Sequence, residues 1–140
     1  MNERSIDDLA AAQPVFAETI GIKLVSYSRD EVVMDLPVTE ALSNRNGVMH
    51  GGAMLGLTDN AGGTAATINL DPGQATTTLE SKINFLRPVR LGDVARATAR
   101  PLHKGRKTQI WQITVTRGDG KIAAVVTQTQ MTLEWQNPEG

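Results

Sequence analysis

The second half of the chain alternates hydrophobic and polar residues with the two-residue period of a β-strand. Between 108 and 117, Trp111, Ile113 and Val115 fall on one face, while Gln112 and Thr114 fall on the other. Together with similar runs nearer the N-terminus, the pattern predicts six strands. They cover residues 22–28, 32–38, 76–87, 93–101, 108–117 and 122–135.

A nearly uncharged run over residues 52–70 is typical of a helix that is buried on every face. Each interior glycine costs a helix about 1 kcal/mol relative to alanine. Something must therefore approach this backbone closely, so we interpret Gly56, Gly62 and Gly63 as packing positions. A turn at 71–73 separates this helix from the next strand.

A shorter helix is predicted over residues 6–19, capped by Ser5 and ended by Gly21, with a kink or break at Pro14. The order is then a helical N-terminal segment (1–20), two strands, a long buried helix and four strands. An α+β fold, with one antiparallel sheet wrapped around one central helix, satisfies that order. At 140 residues the chain is expected to form a single domain, 1–140.

Composition excludes several classes of site. The chain has no cysteine and only two histidines, His50 and His103, so we predict no metal site. A pI near 6.1 with 4% aromatic residues disfavours a nucleic-acid partner. Neither an export signal nor a membrane span is recognisable, so we expect a cytoplasmic protein without a membrane partner.

Charge is distributed unevenly along the chain. The formal net charge is −1, but residues 1–81 hold an excess of acidic side chains and residues 82–140 an excess of basic ones. This polarity suggests that a small polyanion binds the second half.

The candidate chemistry lies where the long helix begins. Asn44 and His50 precede Gly51 and Gly52, and Asp59 follows nine residues after His50. The first N–H groups of a helix have no intrahelical partner, and two glycines let a substrate carbonyl approach them, as in an oxyanion hole. Asp59 is expected to be a buried carboxylate without a neighbouring cation, and such groups usually have a chemical task.

The spacing of these groups predicts a dimer. In a continuous helix, nine residues place Asp59 about half a turn and about 13 Å from His50. One substrate carbonyl cannot touch both ends of that interval within one chain. A second copy with an antiparallel helix would bring the Asp59 of one chain to the Gly51 of the other, giving two shared sites.

These residues, together with Ile83-Asn84-Phe85-Leu86-Arg87-Pro88 and Gly92-Asp93, closely resemble the hotdog-fold acyl-CoA thioesterases of the PaaI type, related to 4-hydroxybenzoyl-CoA thioesterases. The resemblance extends from about residue 16 to residue 133. It implies that Asp59 is the catalytic carboxylate, acting as general base or as nucleophile, and that the Gly51 N–H polarises the thioester oxygen. No cofactor is implied.

The resemblance also implies supporting residues. Asn44 and His50 would orient the thioester or shape the pocket, and a hydroxyl on the strand after the helix would place the attacking water. Counting back from the Phe-Leu-Arg-Pro motif selects Thr78, and counting forward from Asp59 selects Thr77. Cations are needed for the phosphates of coenzyme A. Available candidates are Arg87, Arg90, His103, Lys104, Arg106 and Lys107.

Other interpretations remain open on the sequence alone. His50 and Asn44 have an alternative role as loop residues satisfied by backbone groups, and Trp111 and Trp135 are interpreted as packing the sheet or an oligomer contact. A non-catalytic acyl-CoA-binding or sensing module, and an acyl-thioester hydratase or dehydratase, are alternative functions. The acyl group (aromatic, such as phenylacetyl or hydroxybenzoyl, or short to medium chain) and the choice between homodimer and homotetramer, a dimer of dimers, are undetermined.

Overall fold

A computed structural model describes residues 5–135. Its elements follow the predicted order of helices and strands. They are α1 Ile6–Ala11, α2 Val15–Ile20, β1 Lys23–Tyr27, β2 Val32–Pro37, α3 Gly51–Ile68, β3 Gln74–Phe85, β4 Val94–Lys104, β5 Thr108–Thr116 and β6 Ile122–Glu134. No helix among these is long and apolar enough to cross a membrane.

The six strands form one antiparallel sheet in the order β1-β2-β4-β5-β6-β3. The long helix α3 lies against the sheet and contacts β2, β3, β4, β5 and β6. An α+β fold, with an antiparallel sheet wrapped around one central helix, is therefore confirmed. The strand β3 is an edge of this sheet, which leaves one side of its backbone unpaired.

The inner face of α3 builds most of the core from small and medium side chains. Leu57, Ala61 and Ala65 are fully buried against the sheet, where Trp111 and Ile113 are buried as well. Small side chains bring the helix axis close to the strands, so the sheet can curve around it. Trp111 thus packs the sheet as predicted, whereas Trp135 is exposed in the single chain.

The prediction that α3 is buried on every face is wrong for the single chain. Gly52 and Asp59 are exposed, and a side chain added at Gly63 would meet no atom within 4 Å. Apart from Asp59 this open face has no charged residue, which is unusual for a helix surface in water, because apolar surface there remains hydrated. The open face of α3 therefore has the character of a surface that another molecule covers.

The N-terminal segment breaks at Pro14, as expected, into α1 and α2. Ser5 caps α1 reciprocally with Asp8, and Gly21 ends α2 in the left-handed conformation at φ 93°. Between the two helices, Gln13 accepts a hydrogen bond from Asn60 Nδ2 at 2.8 Å and donates one to Thr64 Oγ1 at 3.2 Å. These bonds hold the segment against α3 next to Asp59.

Leu57→Ala is expected to lower the free energy of unfolding by about 2–5 kcal/mol, because it leaves a cavity between α3 and the sheet. Urea denaturation measures the loss. The matched control is Leu102→Ala, whose side chain is 61% exposed, and it should change stability by less than about 0.5 kcal/mol. Equal losses in the two variants would contradict the packing described for α3.

Candidate functional site

His50 is the residue that starts α3. Its backbone is extended, and its Nδ1 accepts a hydrogen bond from the Gly52 N–H at 2.8 Å, so the imidazole caps the helix. Its own N–H donates to the carbonyl of Leu42 at 2.7 Å. The Gly51 N–H has no acceptor among residues 5–135. One N–H at the positive end of an 18-residue helix is therefore available to a ligand.

Asn44 shapes the loop before the helix. Its Oδ1 accepts a hydrogen bond from the Asn46 N–H at 2.9 Å, which closes a turn of the kind that asparagine favours. The same residue lines a cleft of about 370 Å³ next to Gly51. Phe85 forms another wall, and a Cβ at Gly51 would lie only 3.2 Å from its ring. Asn44 thus supports the loop and also borders the Gly51 cleft.

Asp59 lies two helical turns farther along α3. Its Oδ1 accepts hydrogen bonds from Thr78 Oγ1 at 2.8 Å and from Gln128 Nε2 at 2.6 Å. The carboxylate is exposed in the single chain, so the expectation of a buried Asp59 is wrong for one copy. It was based on the apolar neighbours in sequence, but those face the sheet while Asp59 lies on the open face of α3.

A bulge in β3 decides which threonine meets Asp59. Thr78 pairs with Gln130 and Ser81 pairs with Gln128, and the register shifts between Thr78 and Glu80. The extra residue puts Thr78 and Ser81 on the same face although they are three positions apart. Thr78 therefore reaches Asp59, whereas Thr77 borders the same cleft without a bond to the carboxylate.

Two glutamines of β6 belong to this network and were missed in the sequence. Gln128 and Gln130 are both buried, and Gln130 Nε2 donates to Thr78 Oγ1 at 2.6 Å. Because that bond occupies a lone pair of the hydroxyl, the Thr78 proton is directed towards Asp59. The available signal was positional, since both glutamines fall on the inward face of a strand whose other inward residues, such as Ala124 and Val126, are apolar.

The structure separates the two groups of candidate residues. Asp59, Thr77 and Thr78 border a cleft of about 330 Å³, whereas Asn44 and Gly51 border the cleft of about 370 Å³. Asp59 lies eight positions after Gly51 in α3, which is a rise of about 12 Å. One chain therefore does not bring the free N–H and the carboxylate to the same reacting atom.

The candidate cations lie at opposite ends of α3. Arg87 borders the Gly51 cleft and donates to the carbonyl of Ile122 at 2.8 Å, and Arg90 pairs with Val48 through a β-bridge. Lys104 lies at the other end, 2.6 Å from Asp30 and 3.3 Å from the Asn69 that ends the helix. Arg106 follows in the exposed turn after β4. A single phosphate does not contact both groups within one chain.

Comparisons with known proteins agree on one family. The family model of the thioesterase superfamily matches residues 46–124, more than half of the chain and including Gly51, Asp59 and Thr78. The 1,4-dihydroxy-2-naphthoyl-CoA hydrolase of Listeria monocytogenes is 34% identical over 108 residues, covering 77% of this chain and 87% of the relative. The acyl-coenzyme A thioesterase PaaI of Escherichia coli is 30% identical over 109 residues, covering 78% of this chain and 76% of PaaI.

Solved structures of similar proteins have the same fold. A thioesterase from Haemophilus influenzae superposes with a TM-score of 0.85 at 26% identity, covering 99% of this chain and 97% of that chain. The structure of Escherichia coli PaaI superposes with a TM-score of 0.81 at 28% identity, covering 86% of this chain and 85% of that chain. Because it covers 99% of this chain, the Haemophilus match extends over both clefts.

Replacing His50 separates its capping role from any other. His50→Ala is expected to lower the free energy of unfolding by about 1 kcal/mol, because the Gly52 N–H loses its acceptor. His50→Asn should keep most of that stability, since asparagine is a favoured helix cap. Thermal or urea denaturation of both variants measures the difference. If both variants lost the same stability, the cap would not be what His50 contributes.

Proposed function

This chain belongs to the thioesterase superfamily, as a hotdog-fold thioester hydrolase of the PaaI type, and we propose that it hydrolyses acyl-CoA thioesters to the free acid and coenzyme A. The observation that carries the proposal is that α3 offers both a free N–H at its first residue, Gly51, and a carboxylate at Asp59 that two donors hold in place. The named activities of the Listeria and Escherichia relatives support the choice of acyl-CoA.

In the proposed mechanism the Gly51 N–H donates to the thioester oxygen and stabilises the negative charge that develops there. Asp59 removes a proton from water while the water oxygen bonds to the carbonyl carbon. The carbon–sulfur bond then breaks, and the leaving thiolate takes the proton from Asp59. Thr78 would help to place the water. In the alternative route, Asp59 attacks the carbonyl carbon, the carbon–sulfur bond breaks to release the coenzyme A thiolate, and water then hydrolyses the resulting anhydride to the free acid and Asp59.

This mechanism requires two copies of the chain. Since about 12 Å of helix separates Gly51 from Asp59, the N–H and the carboxylate must come from different chains. Two features favour a two-fold homodimer, with or without further pairing to a tetramer. The face of α3 around Asp59 is open, and the edge strand β3 carries the exposed apolar side chains Leu79 and Phe85. Covering both would bury apolar surface and satisfy an unpaired strand edge.

A site shared between two chains also accounts for the candidate cations that lie at opposite ends of α3. Arg87 and Arg90 lie on the copy that supplies Gly51, and Arg87 borders the cleft in which the thioester oxygen would bind. Lys104 and Arg106 lie on the copy that supplies Asp59, at the end of α3 beyond the carboxylate. We propose that both groups contribute to binding the phosphates of coenzyme A. In this scheme Asn44, His50 and Gly52 border the thioester, and Thr77 borders the Asp59 cleft.

Asp59→Asn is expected to lower the rate of free-thiol release from acyl-CoA by about 10²–10⁴-fold, because the amide cannot accept the proton or attack the carbonyl. A panel of aromatic and short to medium aliphatic acyl-CoAs is used with wild type and variant side by side. The affinity for acyl-CoA, measured by calorimetry, should be largely retained. Asp71→Asn is the matched control, since this exposed carboxylate lines neither cleft, and the variant should remain active.

Three outcomes would contradict the proposal. Unchanged turnover in Asp59→Asn would remove Asp59 from the chemistry. A wild type that binds acyl-CoA without releasing thiol would instead favour an acyl-CoA-binding module. Addition of water across the double bond of an unsaturated acyl-CoA would favour a hydratase.

A further inference from the structure

The amide of Gln128 is placed where an apolar side chain would pack better. It is fully buried on the inner face of β6, between α3 and the sheet, with Ile113 close by. Its Oε1 is buried and accepts no hydrogen bond from any residue in 5–135. A buried acceptor without a partner destabilises a fold. Packing alone therefore does not account for an amide at this position.

Both N–H groups of the amide are in use. Gln128 Nε2 donates to Asp59 Oδ1 at 2.6 Å and to Ser81 Oγ at 2.8 Å. Ser81 anchors the amide on β3, so the second N–H is directed at the carboxylate. The side chain thus links two strands to the one carboxylate on the open face of α3.

The two bonds to Asp59 end on the same oxygen. Thr78 and Gln128 both donate to Oδ1, and Oδ2 accepts nothing from residues 5–135. A carboxylate held on one oxygen by two rigid donors cannot rotate freely, and its other oxygen keeps a fixed direction. We propose that Gln128 is a positioning residue that holds Asp59 so that Oδ2 faces the water or the thioester carbon. This inference rests on the proposed function of Asp59.

Gly62 is what allows Gln128 to lie there. A Cβ built at Gly62 would lie 1.7 Å from Gln128 Oε1 and 2.8 Å from its Cδ. Any larger residue at this turn of α3 would therefore push the amide away. Gly62 is therefore a packing position, as the sequence indicates, and the side chain that it accommodates is Gln128, which bonds to Asp59.

The test replaces Gln128 with methionine, which has a similar volume and no N–H. The expected kcat for acyl-CoA hydrolysis is about 10- to 100-fold below wild type, since misplacement of a reacting group by about 1 Å has effects of that size. KM should stay within about threefold because Gln128 does not touch the substrate. The melting temperature should be equal to or above that of wild type, because the unpaired buried oxygen is gone.

Gln109→Met is the matched control. Gln109 is also a buried glutamine of the sheet, but it bonds to the carbonyl of Ala66 and to the Trp111 indole N–H, with no contact to Asp59. Its removal leaves the indole N–H without an acceptor, so the melting temperature should fall. Well below that temperature, kcat should remain within about twofold of wild type. Gln128→Met is thus expected to lower kcat without lowering the melting temperature, whereas Gln109→Met should lower the melting temperature without lowering kcat.

A second variant, Gly62→Ala, keeps Gln128 but displaces its amide. Gly62→Ala should lower kcat as Gln128→Met does, although the amide is still present. In an Asp59→Asn background, Gln128→Met should cause no further loss of residual activity, because the two residues act through one carboxylate.

The outcomes distinguish this inference from the proposed function. If Asp59→Asn is inactive while Gln128→Met retains kcat within about threefold of wild type, the positioning role is wrong and the function stands. A loss of kcat in Gln128→Met that accompanies an equal loss in Gln109→Met, with both proteins destabilised, also overturns it. If Asp59→Asn remains fully active, both the function and the positioning role are wrong.

Discussion

The rise of the α-helix determines the layout of this site. The sheet surrounds a helix that begins at Gly51 and ends at Ile68, and no bending of the strands changes the about 12 Å between its first N–H and Asp59. A reaction centre that needs both groups must therefore be assembled from two chains. The open face of α3, the exposed edge strand and the two separate clefts all fit such an assembly.

Three features that cost stability or break regular structure lie around Asp59. A glycine inside α3 costs helix stability, and a buried amide oxygen without a donor costs more. Gly62 is that glycine and Gln128 has that unpaired oxygen, and the two residues contact each other. A bulge in β3 adds a third irregularity and brings Thr78 and Ser81 to the same face. Thr78 and Gln128 bond directly to Asp59, and Gly62 contacts Gln128. By contrast, Leu57, Ala61 and Ala65 pack regularly along the same helix.

Much of the fold follows from local patterns in the sequence. Alternation in the strands, the uncharged helical run and the break at Pro14 predicted every major element, and α3 begins within one residue of its expected start. These features depend on neighbours in the chain, so a single sequence contains them. The sequence also singles out His50, Gly51 and Asp59 as candidates, because a helix start and a family motif mark them, and it narrows the hydroxyl to Thr77 or Thr78; their catalytic roles stay predictions.

The remaining features depend on contacts between distant residues. Gln128 is 69 positions from Asp59, and nothing in the local pattern of β6 shows which helix residue it meets. The choice of Thr78 over Thr77 depends on a bulge whose position is set by pairing with β6. The exposure of Asp59 depends on which face of α3 the sheet leaves uncovered. The division of the cations between both ends of α3 depends on where the hairpin of β4 and β5 lies.

The central claim, a site shared between two chains, is tested most directly by complementation. Gly51→Pro removes the N–H at a position where proline suits both the helix start and the extended His50 before it, and its ring also narrows the cleft beside Phe85. Gly51→Pro and Asp59→Asn should each be inactive alone. Co-expressed in equal amounts and purified as mixed dimers through two different tags, they should recover one intact site per dimer, about half of the wild-type activity. Verified mixed dimers without any activity would contradict a site built from two chains.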